Sequence, residues 1–112
     1  MQLTDTRYGK AEPVTVHVAR YRNGQQGIFL ETLDGEPWCV ATAAVDEPLK
    51  EGTVAVKVHS ENVGMQDLLI RAGVIEREPL DYIRSGFVLL PVHALTPAAK
   101  ALGQANDEAE AA

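Results

Sequence analysis

Four side chains in this sequence carry the chemistry that metal binding or nucleophilic catalysis requires: His17, Glu31, Cys39 and His59. Imidazole, carboxylate and thiolate are all zinc donors, and a thiolate beside a cation or a helix N-terminus is a nucleophile. Their spacing argues against both uses. Metal sites gather ligands in close pairs such as Cys-x-x-Cys, whereas these four are scattered along the chain. Cys39 follows Trp38 in an apolar run and reads as a small buried group. No Gly-x-Ser-x-Gly elbow surrounds Ser60 or Ser85, and no Gly-x-x-x-x-Gly-Lys phosphate loop is present. The residues therefore imply no catalytic group, no metal and no cofactor, and a protein that is not an enzyme.

The remaining polar clusters suit binding better than catalysis. Asp46, Glu47 and Glu51 form an acidic loop, and Ser60, Glu61 and Asn62 form a polar knob that a partner protein could grip. The knob also has a plainer reading. Ser60 or Asn62 can cap a helix start, and Glu61 suits its first turn through the helix dipole.

Charge narrows the partner. The chain of 112 residues carries a formal charge of −6, and its Lys and Arg residues are interleaved with acids. Binding nucleic acid through phosphates needs a local excess of cations, so no direct nucleic-acid contact is expected, and a protein with a basic surface is the better electrostatic match. No apolar run approaches the roughly 20 residues of a membrane span, and a lone cysteine cannot form an internal disulfide. A cytoplasmic setting without membrane contact follows from these expectations.

The elements that must position these residues are legible in the hydrophobic pattern. Residues 1–12 read as an irregular lead-in, residues 13–96 as one α+β domain, and residues 97–112, rich in Ala and acids, as a flexible tail, either a frayed helix or disordered. Val14, Val16 and Val18 alternate with polar neighbours, the period-2 mark of a half-buried strand. Asn23-Gly24 and Asp34-Gly35 then punctuate a three-stranded meander. Three-residue loops, Arg22-Asn23-Gly24 and Leu33-Asp34-Gly35, put Val16 opposite Leu30 and Leu30 opposite Trp38, with every aliphatic on one side. Val54, Val56 and Val58 mark a fourth strand. Met65, Leu68, Leu69 and Ala72 share one face of a short helix that Gly73 ends. Residues 76–84 read as a polar loop anchored by Leu80, Tyr82 and Ile83. Phe87–Val92 reads as a last strand, and Pro91 assigns it to an edge or a bulge. The expected fold is α+β: an antiparallel sheet of about five strands with one short helix packed on one face.

This phasing divides the sheet into two faces. One, with the valines, Ile28, Leu30, Trp38 and Val40, should meet the helix. The other, with His17, Phe29, Glu31, Cys39, Ala41, Ala43, Ala55, Lys57 and His59, should stay open. A partly apolar open face is an interface candidate, and His17, Phe29, Glu31, Lys57 and His59 are its candidate contacts, either to a partner or to a second copy in a homodimer.

Several short stretches, Tyr21-Arg22-Asn23-Gly24, Gly35-Glu36-Pro37, Val56 through Met65, Ala72-Gly73-Val74, and Ser85-Gly86-Phe87-Val88 with Pro91-Val92, recur in this order in a family of small bacterial proteins common on plasmids and other mobile elements. The chain resembles that family, whose function is uncharacterised, over about Val14 to Leu95. Val63 and His59 depart from it, standing where such proteins often look acidic and aromatic. The resemblance implies a setting on horizontally transferred DNA. Small acidic proteins there often work by stoichiometric binding, an argument by association. The expected function is thus a non-enzymatic binding protein of a mobile element or phage, inhibiting a host defence complex in the manner of anti-CRISPR or anti-restriction proteins. A structural or regulatory homodimer is the alternative.

Overall fold

The structure, a computed structural model, describes residues 1–111. Its backbone is organised by the hairpin of β2 (Glu12–Arg20) and β3 (Gln26–Thr32), in which Val16 lies opposite Leu30 and Val18 opposite Ile28. The aliphatics of both strands therefore line one face, as the period-2 pattern requires. The loop has three residues, closed by the Tyr21 N–H donating to Gln25 O at 2.8 Å, with Gly24 at φ 87°. Only glycine adopts that conformation without a steric penalty.

The stretch expected to be an irregular lead-in is instead a strand, β1 (Gln2–Asp5), paired along β2 with Leu3 opposite Val14. Its pattern is concealed because one of its two inward residues is Asp5, a buried acid. On the other side of β3 runs β4 (Pro37–Val40), which completes a sheet of order β1-β2-β3-β4. The loop before β4 is the expected one, with Thr32 N–H donating to Glu36 O and Gly35 at φ 86°. The register is not. Glu31 pairs with Pro37 but Leu30 pairs with Cys39, so Trp38 is an extra residue in a β-bulge. From that point each side chain of β4 is on the face opposite to the expected one. Cys39 and Ala41 pack against the core, while Trp38 and Val40 are more than one-third exposed.

At Ala41 the chain leaves one sheet for another. Its N–H donates to Ile28 O of β3 at 3.0 Å, and its carbonyl accepts from the Lys57 N–H at 2.9 Å. Beyond it, β5 (Thr42–Ala43) pairs with β6 (Thr53–Val56). The expected single sheet of about five strands is thus two antiparallel sheets of four, because one strand bends and serves both. The second has the order β5-β6-β8-β7, with β7 (Asp81–Ser85) and β8 (Val88–Ala94) joined through Gly86-Phe87. Residues expected as a polar loop hence form β7, and of the proposed anchors only Ile83 is buried, Leu80 and Tyr82 being exposed. Pro91 sits in an inner strand rather than at an edge. It is tolerated because the ladder to β6 stops at Val92, so the missing N–H breaks no bond.

Helix α1 (Met65–Arg71) buries Met65 and Leu69 and ends in a Schellman motif, Gly73 N–H to Ile70 O and Val74 N–H to Leu69 O. Neither Ser60 nor Asn62 caps it. The N-cap is Gly64, and residues Ser60–Asn62 form a separate 3₁₀ turn. The tail, expected as a frayed helix or disorder, is a regular helix: α2 (Pro97–Ala111) starts where Ala99 N–H meets the Thr96 hydroxyl and lies along β2. Gly103 makes this approach possible, since a Cβ there would meet Val18 Cγ1 at 3.0 Å.

The main core joins Val14, Val16, Val18, Ile28, Leu30, Val54 and Val56 to Met65, Leu69, Val74 and Leu95. A second cluster, Val45, Ala55, Ile83, Leu90 and Val92, fills the opposite face of the second sheet. Ala55 and Ala43, expected on an open face, are therefore packed under the loop that carries Val45 and Leu49.

Candidate partner-binding groove

The most elaborate polar construction in the protein centres on the Asp5 carboxylate, whose side chain has no exposed surface. Oδ1 accepts from Arg7 N–H and Arg7 Nε, both at 3.0 Å, and Oδ2 accepts from Arg7 Nη2 at 2.9 Å and Trp38 Nε1 at 3.0 Å. Burial pushes the Asp5 pKa upward, but the hydrogen bonds from Arg7 and Trp38 outweigh it and hold the acid below its ordinary value. The hydrogen bonds from Arg7 to Asp5, against the desolvation of the guanidinium, raise the pKa of Arg7. Both groups stay charged at neutral pH.

What this network holds in place is a pair of aromatic rings. Tyr8 and Trp38 meet edge to face at 6.5 Å, and the Arg7 guanidinium lies 4.9 Å from the centre of the Tyr8 ring. Arg7 Nη1 and the Tyr8 hydroxyl both donate to Glu61 O, at 2.9 and 2.7 Å, tying the rings to the 3₁₀ turn. Asn62 completes the frame. Its Nδ2 donates to Val40 O at 3.0 Å and its Oδ1 lies 3.8 Å from Cys39 Sγ.

Between these walls lies a groove of about 620 Å³ along the flank of β4. Its lining combines Tyr8, Trp38 and Pro37 with Phe29 and Val40 and with the charged side chains of Glu31, Lys57 and Glu61. The volume falls in the range of roughly 300–1,000 Å³ that accommodates small ligands or one stretch of a partner's surface. A shallower hollow follows on, with Lys57, Glu61 and Asn62 in common and His59, Ser60, Ser85 and Leu90 beyond.

The groove gathers some of the residues marked from sequence and separates others. Phe29, Glu31, Lys57, Glu61 and Asn62 line it together. Asn62 is buried rather than an exposed knob, because its amide bonds the backbone of β4. Ser60 is exposed in the adjoining hollow, and His59 Nε2 meets Leu89 O at 3.2 Å. His17 pairs with Glu31 at 2.7 Å. The acidic loop lies elsewhere: Glu51 is bound by Arg20 together with Asp107, the Glu47 carbonyl accepts from Gln25 Nε2, and Asp46 is exposed. Among the described residues no three His, Cys, Asp or Glu side chains converge as metal ligands.

Asp5, Arg7 and Tyr8 were not marked from sequence, and Trp38 was assigned to the core. The sequence does hold a signal, an Asp-x-Arg-Tyr run at 5–8 that pairs a salt bridge with an aromatic residue, but nothing local in it points 33 residues along the chain to Trp38. Compared with protein-family models, curated proteins and solved structures, the chain matches none.

Proposed function

We propose that this chain is a non-enzymatic binding protein that docks a partner protein in the groove beside β4. The observation that supports this reading is the Tyr8–Trp38 pair: two aromatic rings, exposed on their working surfaces yet fixed from behind by a buried ion pair. Tyr, Trp and Arg dominate the binding energy of protein interfaces, and rings held rigid in the free protein lose little entropy on docking. Glu31 and Glu61 outnumber Lys57 in the groove's lining, which favours a partner segment with Lys or Arg. Through the mobile-element resemblance, we place the partner in a host defence complex, of the kind anti-CRISPR and anti-restriction proteins block in the cytoplasm.

Affinity capture from host lysate, run in parallel with the natural chain and with Trp38→Ala, tests the proposal. A partner retained by the first and lost by the second is the expected result, with affinity reduced about thirtyfold or more, as for a central aromatic anchor. A partner held equally by both overturns the docking site, and a partner recovered only through the Asp46–Glu51 loop relocates it.

A further inference from the structure

Each sheet has two edge strands, and β7 is the longest of the four. β1 faces α1 across a small hollow lined by Gln2, Leu68 and Arg71, β4 is latched by the Asn62 amide, and β5 is only two residues long. The fourth, β7, has five residues, pairs only with β8, contains no proline or bulge, and carries two exposed charges of opposite sign, Asp81 and Arg84. Bare edges of this kind pair with another strand unless blocked. We propose that β7 is the dimerisation edge of this protein, joining antiparallel to β7 of a second copy so that the second sheets of both run on as one.

The argument for a second copy rests on self-complementarity. Tyr82 lies opposite Pro91, which has no N–H, so Tyr82 and, two residues on, Arg84 direct their backbone groups away from β8. The Tyr82 N–H is taken locally by Asp81 Oδ1 at 2.8 Å, an exposed partner that an incoming carbonyl can replace. A two-fold axis through Ile83 sets Tyr82 opposite Arg84 of the second copy, and Arg84 opposite its Tyr82. Both backbone-bonded pairs form at once, and each brings a guanidinium beside a phenol ring, a favourable cross-strand match. The same register carries the fully exposed Phe87 at the hairpin tip toward the exposed Leu80 of the second copy, at both ends of the joint. Among the described residues, four of the nine large exposed apolar side chains, Leu80, Tyr82, Phe87 and Leu89, belong to β7, β8 or the residues flanking them.

Sedimentation equilibrium on the full chain, from low to high micromolar concentration, reads the association. The natural chain is expected to form a reversible dimer. Arg84→Pro, which deletes an outward donor without touching the ladder to β8, and Phe87→Lys, at a side chain that contacts nothing in the monomer, each weaken it about tenfold or more. Far-UV circular dichroism verifies that the variants are folded, and Phe87→Lys carries the test if Arg84→Pro is not. A strict monomer overturns the proposal, as does a dimer that these variants leave unchanged. A dimer abolished instead by Trp38→Ala assigns self-association to the groove and also overturns it.

Discussion

Asp5 and Trp38 stand in the two opposite edge strands of one four-stranded sheet, yet Trp38 Nε1 donates to Asp5 Oδ2 at 3.0 Å. Edge strands separated by two others are about 14 Å apart in a flat sheet. The contact therefore requires the sheet to curl, and it places the β4 bulge where the indole can reach the acid.

Removing the carboxylate should be costly. Asp5→Ala leaves Arg7 Nε and Nη2 and the Trp38 N–H without their carboxylate acceptor, and the expected loss is about 3 kcal/mol. Urea unfolding measures it. Trp38→Phe keeps the ring but removes one donor to the carboxylate, so the Asp5 pKa should rise, a shift that carbon-detected NMR titration resolves.

Acid should act through the same group. Because the folded pKa of Asp5 is depressed, its contribution is complete above the ordinary carboxylate value and is lost as the pH falls through the folded value. The natural chain should lose stability from about pH 5 downward more steeply than Asp5→Asn.

The C-terminal helix should loosen under similar conditions. Arg20 donates to both Glu51 and Asp107, and these hydrogen bonds lower both acids' pKa values. The tether is present above their ordinary values and lost below the depressed ones. Lower amide protection factors in α2 are expected at low pH or in molar salt, and in Arg20→Ala at neutral pH.

Gly27→Ala should destabilise the junction of the two sheets. A Cβ at this position would meet Tyr21 Cε2 at 2.5 Å and Thr42 Oγ1 at 3.0 Å. The ring must move, giving up the bond from its hydroxyl to Thr42 O. A cost of about 1–3 kcal/mol is expected from calorimetry.

His93, fully buried, should tolerate no apolar substitute. Its Nδ1–H donates to Glu76 O at 2.8 Å, and its Nε2 lies 2.7 Å from the Gln66 side-chain amide. His93→Phe strands both partners and should cost about 2 kcal/mol in denaturant unfolding.

The sequence announces some of this architecture and conceals the rest, for identifiable reasons. Val16 and Leu30 were legible because alternation and a short glycine-closed loop are local signals, and so was the helix end at Gly73. The inversion at Trp38 was not, since it depends on Asp5, far away in the chain. Strand β1 escaped because its inward row holds an acid. The tail was legible only as a frayed helix or disorder, because Ala99 and Gly103, its buried residues, give no apolar stripe to dock it. The groove was half visible: Phe29, Glu31, Lys57, Glu61 and Asn62 were marked, but the aromatic wall that gives it purpose rests on the two misread segments.

The sharing of residues 37–43 between both sheets has a thermodynamic corollary. Ala41 donates to one sheet and accepts from the other, so neither half can melt while its neighbour stays ordered without tearing the same short stretch of backbone. Heat should unfold the molecule in a single endotherm with equal calorimetric and van't Hoff enthalpies. A break in the backbone at Ala41 should abolish folding of both halves together.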